Sequence, residues 1–246
     1  MTRYRIYPTL LDSYQRMRVA EGQEEHDQRE RELIDKINRV PSEPSFAASR
    51  GTALNNCVDA VVKRGIDTIE ADFGEVIRGG TPEAPTLLTE CDGFTFEFAE
   101  GLVLELADMV GDAVCQPFLS AEIVTCYGDV ELYGYADYIN GDTIIDLKTT
   151  GDYSVGKYRE NWQHRVYPLL AVSSGMMERV YGFQYLVAEI KAVKQPFDGK
   201  VYHEDYHGAL FVSEAELRTF LECDFLPWLE EHRQQITDKK IFNIND

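Results

Sequence analysis

Apolar and polar positions along the chain change period several times, and each change marks an element. Residues 10–18 predict a short helix entered after Pro8. Residues 23–40 are densely charged and predict a second helix, with Glu32 and Lys36 one turn apart. The stretch "PSEPS" ends it. Residues 52–63 predict a helix stopped by Gly65. Glycines and prolines in 74–85 mark a loop or weak hairpin. Residues 95–113 read as an amphipathic helix, with Phe98, Leu102, Leu106 and Met109 on one stripe and Glu97, Glu100 and Asp108 elsewhere. Strands follow over 118–127, 130–139 and 143–150, then a helix over 157–172 and a strand over 179–190. "VYHEDYHGAL" reads as a loop leading into a strand. A final helix over 214–235 starts at Ser213, an N-cap with Glu216 three residues on. The order is helices, a meander of strands, then helix, strand and helix. It predicts a mixed α/β layer fold with one central mixed β-sheet flanked by helices.

The chain has 246 residues, enough for one sizeable domain. We divide it into an N-terminal helical segment (1–50), a core (51–190) and a C-terminal strand and helix (191–246). No apolar run reaches the length of a membrane span, and residues 1–20 lack a secretory apolar region. The expectation is a soluble cytoplasmic protein with no membrane partner. Five cysteines without a Cys-x-x-Cys pair suggest reduced thiols.

The net charge of −19 argues against a nucleic-acid ligand until its distribution is considered. Residues 66–146 hold 18 acidic side chains and one basic one, Arg78. The first twenty residues carry Arg3, Arg5, Arg16 and Arg18 against Asp12. Lys157, Arg159 and Arg165 stand near the predicted helix at 157–172 against Glu160. A basic groove on an acidic body remains open, beside the plainer reading of a solvated acidic surface.

The most informative stretch is "YGYADYINGDTIIDLKTT", residues 133–150. Asn140-Gly141 is a strong hairpin signal, because both residues tolerate positive φ. With that pair at the turn centre, Ile139 faces Asp142, Asp137 faces Ile144 and Tyr135 faces Asp146. Alternation then puts Asp137, Asp146 and Lys148 on one face, with Ala136, Tyr138, Ile145 and Leu147 on the other. Converging carboxylates repel unless a cation lies between them, and Mg²⁺ and Mn²⁺ prefer such oxygen ligands. A lysine one pleat further along can orient water or stabilise charge on a phosphate. That is equipment for phosphodiester hydrolysis. The alternative is an exposed hairpin face with a solvated Asp–Lys pair.

These residues resemble the PD-(D/E)xK nuclease superfamily in its RecB-like branch, which includes phage exonucleases. The branch is marked by Gly-x-x-Asp, a gap, and Asp-x-Lys-Thr on the next strand, matched here by Gly134, Asp137, Asp146, Lys148 and Thr149. A Gln-x-x-x-Tyr motif on the following helix is matched by Gln163 and Tyr167. The likeness is specific over 132–170. The helix "GTALNNCVDAVV" matches an upstream family segment, and "YPTLLDSYQRM" weakly matches the opening one. The resemblance implies a restriction-endonuclease-like core and a Mg²⁺- or Mn²⁺-dependent DNA nuclease. An exonuclease or DNA-end processor in phage or bacterial recombination or repair is the expected setting. It assigns Asp137, Asp146 and the Leu147 carbonyl to the metal, Lys148 to the nucleophilic water, and Gln163 and Tyr167 to DNA placement or to the lysine. Asn55 stands where relatives carry a histidine ligand, an oxygen donor in place of an imidazole. Some relatives hold an iron–sulfur cluster with three C-terminal cysteines. Only Cys223 lies in that part, so no cluster is expected.

Glu122, on the strand before Asp137, is a further candidate metal ligand, and Glu131 a weaker one. Lys157, Arg159, His164 and Arg165 are candidate phosphate contacts or a solvated helix face. Trp162 and Tyr158 could stack on bases or belong to the core. Tyr135 could line the cleft. His203 and His207 are spaced four apart but lack further zinc ligands. The expected partners are linear DNA, a second copy of the chain or a recombination protein. The competing function is a nuclease-fold protein that binds DNA ends or a partner with little catalysis.

Overall fold

The computed structural model describes residues 3–70 and 74–242, and its first element is a strand. β1 (Arg3–Ile6) buries Tyr4 and Ile6 and pairs in parallel with a later strand, so the N-terminal segment is not purely helical. α1 (Pro8–Arg18) and α2 (Gln23–Ile37) then form as the sequence predicts. α3 (Phe46–Arg64) begins earlier than expected, straight after the Pro-Ser break, and Gly65 caps it at φ 79°. β2 (Val76–Thr81), β3 (Ala84–Cys91) and β4 (Phe94–Ala99) form an antiparallel meander. α4 (Glu100–Val110) follows. Residues 95–99 are therefore strand and not helix. Phe96 and Phe98 are both fully buried at a spacing of two, and this outweighs the helical match of Phe98 to Leu102.

β5 (Val114–Cys115) and β6 (Phe118–Thr125) run antiparallel to β8 (Tyr138–Asn140) and β7 (Gly128–Tyr135). The register runs unbroken from Val114↔Ile139 to Thr125↔Gly128, and Gln116 N–H donates to the Asp137 carbonyl at 2.8 Å. Between the two arms the hairpin bends, with Gln116 at φ 53° before Pro117. The bend divides the expected single sheet in two. One half is β1-β7-β6. The other, β11-β10-β9-β8-β5, contains β9 (Thr143–Thr150), β10 (Gly182–Glu189) and β11 (Lys200–His207). It is mixed, since β9 and β10 are parallel and its other pairs antiparallel. β11 takes up the stretch expected as a loop. α5 (Gln163–Ser173) is the crossover, and α6 (Glu214–Phe220) and α7 (Leu226–Glu231) close the chain around a π-helical turn. Ser213 and Glu216 form the predicted capping box. The molecule is thus mixed α/β, with several sheets flanked by helices.

Two cores lie on opposite faces of the five-stranded sheet. Ile144, Phe183, Tyr185 and Val187 pack with α1, α5 and α7. Tyr138, Ile145, Leu147, Leu186 and Ala188 pack with α3 and α4. Ala136 joins the first core and not the second as alternation alone would have it, because the bend intervenes. Arg78, the lone cation of the acidic stretch, is held by Glu100 through two 2.8 Å bonds. Among the described residues no helix is long and apolar enough to cross a membrane.

Candidate active site

The hairpin register sets the site. β8 and β9 pair as Asn140↔Thr143, Ile139↔Ile144 and Tyr138↔Ile145, two residues away from the predicted register. The turn centre is Gly141-Asp142, with Gly141 at φ 59°. Asn140 is held in the strand, because its side-chain amide donates to the Val110 carbonyl at the end of α4 at 2.8 Å. A shift of two preserves the faces that a shift of one would exchange. Asp146 and Lys148, two apart on β9, share a face in any register, and the even shift keeps Asp137 with them in one cleft. Tyr135 does not face Asp146. It belongs to β7, lies 59% exposed against Phe118, and is not part of the cleft. In its place Asp137 reaches back across the end of the ladder and accepts the Leu147 N–H at 2.9 Å. A strand residue's N–H and C=O leave by the same edge. The Leu147 carbonyl thus lies on the Asp137 side, outside the β10 ladder.

Around this point opens a cleft of ≈ 520 Å³. Its floor is Asp137, Asp146, Leu147, Lys148 and Thr149, with Gln163 from α5 on one wall. The opposite wall is α3, which turns Gly51, Asn55 and Asp59 inward at one-turn intervals. Asp146 is 3% exposed. Gln163 bridges the pair beside it: its Nε2 donates to Asp146 Oδ1 at 2.7 Å, and its Oε1 accepts from Lys148 Nζ at 2.8 Å. Lys148 Nζ also sits 2.5 Å from Asp146 Oδ2, in ion-pair contact but outside hydrogen-bonding geometry. Burial, then the Asp146 charge, push the Asp137 carboxyl above its usual range, while Lys148, the Leu147 N–H and Asn55 pull it back. Burial works against the Lys148 charge, yet Asp146, Asp137 and Asp12 hold its ammonium above the usual value.

The donor set suits a hard cation. Asn55 bonds Asp137, but its Oδ1 is buried with no partner, and Asp146 Oδ2 is met only by the Lys148 ammonium. Two carboxylates, an amide oxygen and a strand-edge carbonyl are the oxygen ligands that Mg²⁺ and Mn²⁺ take. Among the described residues no group of three or more His, Cys, Asp or Glu side chains is arranged to hold a metal. A cation here would rest on the mixed set just given.

Several candidates fall outside the cleft. Glu122 is exposed on β6 opposite Glu131, on the face away from Leu119, Ala121 and Ile123. Tyr167 lies behind the site. Its hydroxyl donates to the Tyr135 carbonyl at 2.9 Å, and a Cβ on Gly134 would come within 2.8 Å of that hydroxyl. The glycine of Gly-x-x-Asp thus makes room for the tyrosine of Gln-x-x-x-Tyr. His164 is no phosphate contact. It is 1% exposed, stacked on Tyr206 at 4.2 Å, and burial pushes its imidazole down to about 4, so it is neutral at pH 7. Residues 157–160 are turns, and the helix starts only at Gln163. Lys157 bonds Thr150 and Asp152 at the end of β9, Arg165 pairs with Glu160 at 3.2 Å, and Arg159 is exposed. Trp162 packs on Phe220 and Tyr158 on Tyr185, so both serve the core. His203 pairs with Asp205 on β11. The side chain of Arg3 lies outside the described residues.

Asp12 also belongs to the site, a role that no motif in the sequence marks. It is 4% exposed, and its Oδ1 accepts the Trp162 N–H at 2.5 Å, fixing the start of α5 where Gln163 enters the cleft. Burial raises its carboxyl, against the pull of the Trp162 N–H, Arg16, Lys148 and Lys36. The available signal was an aspartate between Leu11 and Tyr14 on an apolar helix face. Gln116, at the bend, also lines the cleft.

No family model matches the chain, and no curated protein matches it. Among solved structures, a crystal structure of the protein SSO0001 is similar over 51% of this chain and 56% of that one, at 14% identity and a TM-score of 0.38. The chain spans just over half the length of that protein.

Proposed function

We propose that the protein is a metal-dependent DNA nuclease of the PD-(D/E)xK superfamily, RecB-like branch, with a restriction-endonuclease-like core. The observation that carries this is the convergence of Asp137, Asp146, Lys148 and Gln163 on one cleft, with the buried Asn55 Oδ1 beside them lacking a donor. Asp137, Asp146, Asn55 and the Leu147 carbonyl would hold Mg²⁺ or Mn²⁺. When bound, such an ion neutralises phosphate charge and acidifies water. Lys148 presents its ammonium to the same space and stabilises negative charge that develops on a phosphate oxygen. Gln163 fixes the lysine and Asp146 relative to one another. Tyr167 and Asp12 position β7 and α5 behind them. The substrate is linear DNA, processed from an end in a cytoplasmic recombination or repair setting, alone, as a homo-oligomer or with a recombination protein. The test is Mg²⁺- or Mn²⁺-dependent loss of a labelled linear duplex, abolished in Lys148→Ala.

One observation favours a second reading, a nuclease-fold protein that binds DNA ends or a partner with little catalysis. Asn55 offers the cleft a neutral amide in place of a stronger ligand, which weakens metal binding. Retention of a labelled duplex without cleavage at saturating Mn²⁺ would select it.

A further inference from the structure

A second charged recess lies between α1 and α2, a groove of ≈ 370 Å³ lined by Ser13, Arg16, Arg29, Glu32, Leu33 and Lys36. Three cations face one carboxylate in a chain of net charge −19, and the groove lies outside the acidic stretch 66–146. The Glu32–Lys36 pair that the helical spacing suggested does not form. Lys36 instead donates to the Thr9 carbonyl and to Ser13 Oγ, each at 3.0 Å. An ammonium has three donors, so one remains for a ligand. Arg29 is anchored by Glu25 and by the Arg16 carbonyl, which orients its guanidinium. Among the described residues the Arg16 guanidinium makes no hydrogen bond or ion pair, and its charge reaches Asp12 and Lys36 only through space. Burial, then the nearby Arg16 charge, push Lys36 below its usual value, and the buried Asp12 only partly offsets them. Two cations held against one another are relieved by an anion between them.

The groove is linked to the cleft. Asp12, one turn before Arg16 on α1, feels Arg16, Lys148 and Lys36 together and bonds the N–H of Trp162, the residue before Gln163. We propose that the α1–α2 groove is an oxyanion site that takes a backbone phosphate of the nucleic-acid strand that enters the cleft. Arg16 and Lys36 make the contact. Ser13 holds Lys36 in place, and Arg29 closes the rim. The assignment to a strand phosphate rests on the nuclease reading, whereas the oxyanion chemistry does not. It also answers how so acidic a protein would hold DNA. His164 is neutral and Arg165 is paired, so the α5 side supplies less charge than its sequence suggests.

The test uses the full chain in two assays. In the first, inorganic phosphate is titrated while the melting temperature is followed. It should raise that of wild type and leave Arg16→Gln unchanged. Arg16→Gln removes no bond within the fold, whereas Lys36→Gln loosens α2 from α1, so Arg16→Gln carries the conclusion. In the second, binding of a labelled duplex is measured against salt with Ca²⁺ in place of Mn²⁺. The log–log slope should flatten by about 0.9 in Arg16→Gln and by about 1.8 in Arg16→Gln/Lys36→Gln. Mn²⁺ should still stabilise both variants, because the cleft carboxylates are untouched. An equal phosphate shift in wild type and Arg16→Gln overturns the oxyanion site. A slope unchanged in Arg16→Gln overturns its assignment to the strand. Should wild type bind and cleave no DNA while phosphate protection is still lost in Arg16→Gln, the nuclease reading falls and the oxyanion site stands.

Discussion

Replacing Asp137 with asparagine separates the electrostatic cost of the site from its purpose. Asp137 and Asp146 are cross-strand neighbours at the end of the β8–β9 ladder, so their carboxylates lie about 5 Å apart. At an effective dielectric of about 20 their repulsion is about 3 kcal/mol. The attraction of Lys148 for Asp137 offsets part of it and leaves roughly 1–2 kcal/mol. Asparagine keeps an oxygen to accept the Leu147 N–H, so Asp137→Asn should stabilise the metal-free protein by that amount. For a chain of this length the gain is about 2–8 °C in melting temperature. The gain must depend on pH. The folded carboxyl is raised above the ordinary value of 3.8, so between the two values the folded state binds more protons than the unfolded one. Wild-type stability therefore falls as pH rises from about 4, and the variant should match wild type at acid pH and exceed it near neutrality. Mn²⁺ at about a hundred times its dissociation constant should add about 2.7 kcal/mol to wild type and little to the variant. Differential scanning fluorimetry across pH, with and without Mn²⁺, reads both effects. An equal Mn²⁺ shift in wild type and Asp137→Asn, or a variant less stable than wild type at neutral pH without metal, would refute the reasoning.

Asp146→Asn should also lose the Mn²⁺ shift and divalent-dependent cleavage, but it removes the counter-charge of Lys148 and should lower metal-free stability, opposite in sign to Asp137→Asn. Gly134→Ala places a methyl 2.8 Å from the Tyr167 hydroxyl and should cost about 1–3 kcal/mol by overpacking, with Tyr167→Phe in the same chain recovering part of it in a urea melt. Gln163→Ala frees both Lys148 and Asp146; cleavage should fall while the Mn²⁺-induced rise in melting temperature persists, and loss of that rise would make Gln163 part of the cation's own support. Ser213→Ala should cost about 1 kcal/mol through the lost capping box, read as a lower midpoint in a urea melt.

Local chemistry alone determined that Asp137, Asp146 and Lys148 share a site. A glycine turn between two apolar runs makes a hairpin, and a period of two fixes which residues share a face. The answer survived a register error of two because an even shift preserves that parity. The four-residue spacing of Gln163 and Tyr167 likewise set both on one side of α5. What the tertiary structure decided depends on groups distant in sequence. Asn140 left the turn because the carbonyl of Val110, thirty residues earlier, claims its amide. The sheet divides at Gln116-Pro117 beside Asp137, which removes Tyr135 from the cleft and sends Glu122 to the outside of β6. Residues 95–99 became strand because β3 offered a ladder that the periodicity of one segment does not reveal. His164 lost its charge because α5 packs it on Tyr206. Asp12 entered the site because α1 meets the start of α5, a contact spanning 150 residues. Side-chain direction along one element follows from backbone geometry and is legible in the sequence. Which element meets which follows from the packing of both cores at once, and only the folded chain supplies it.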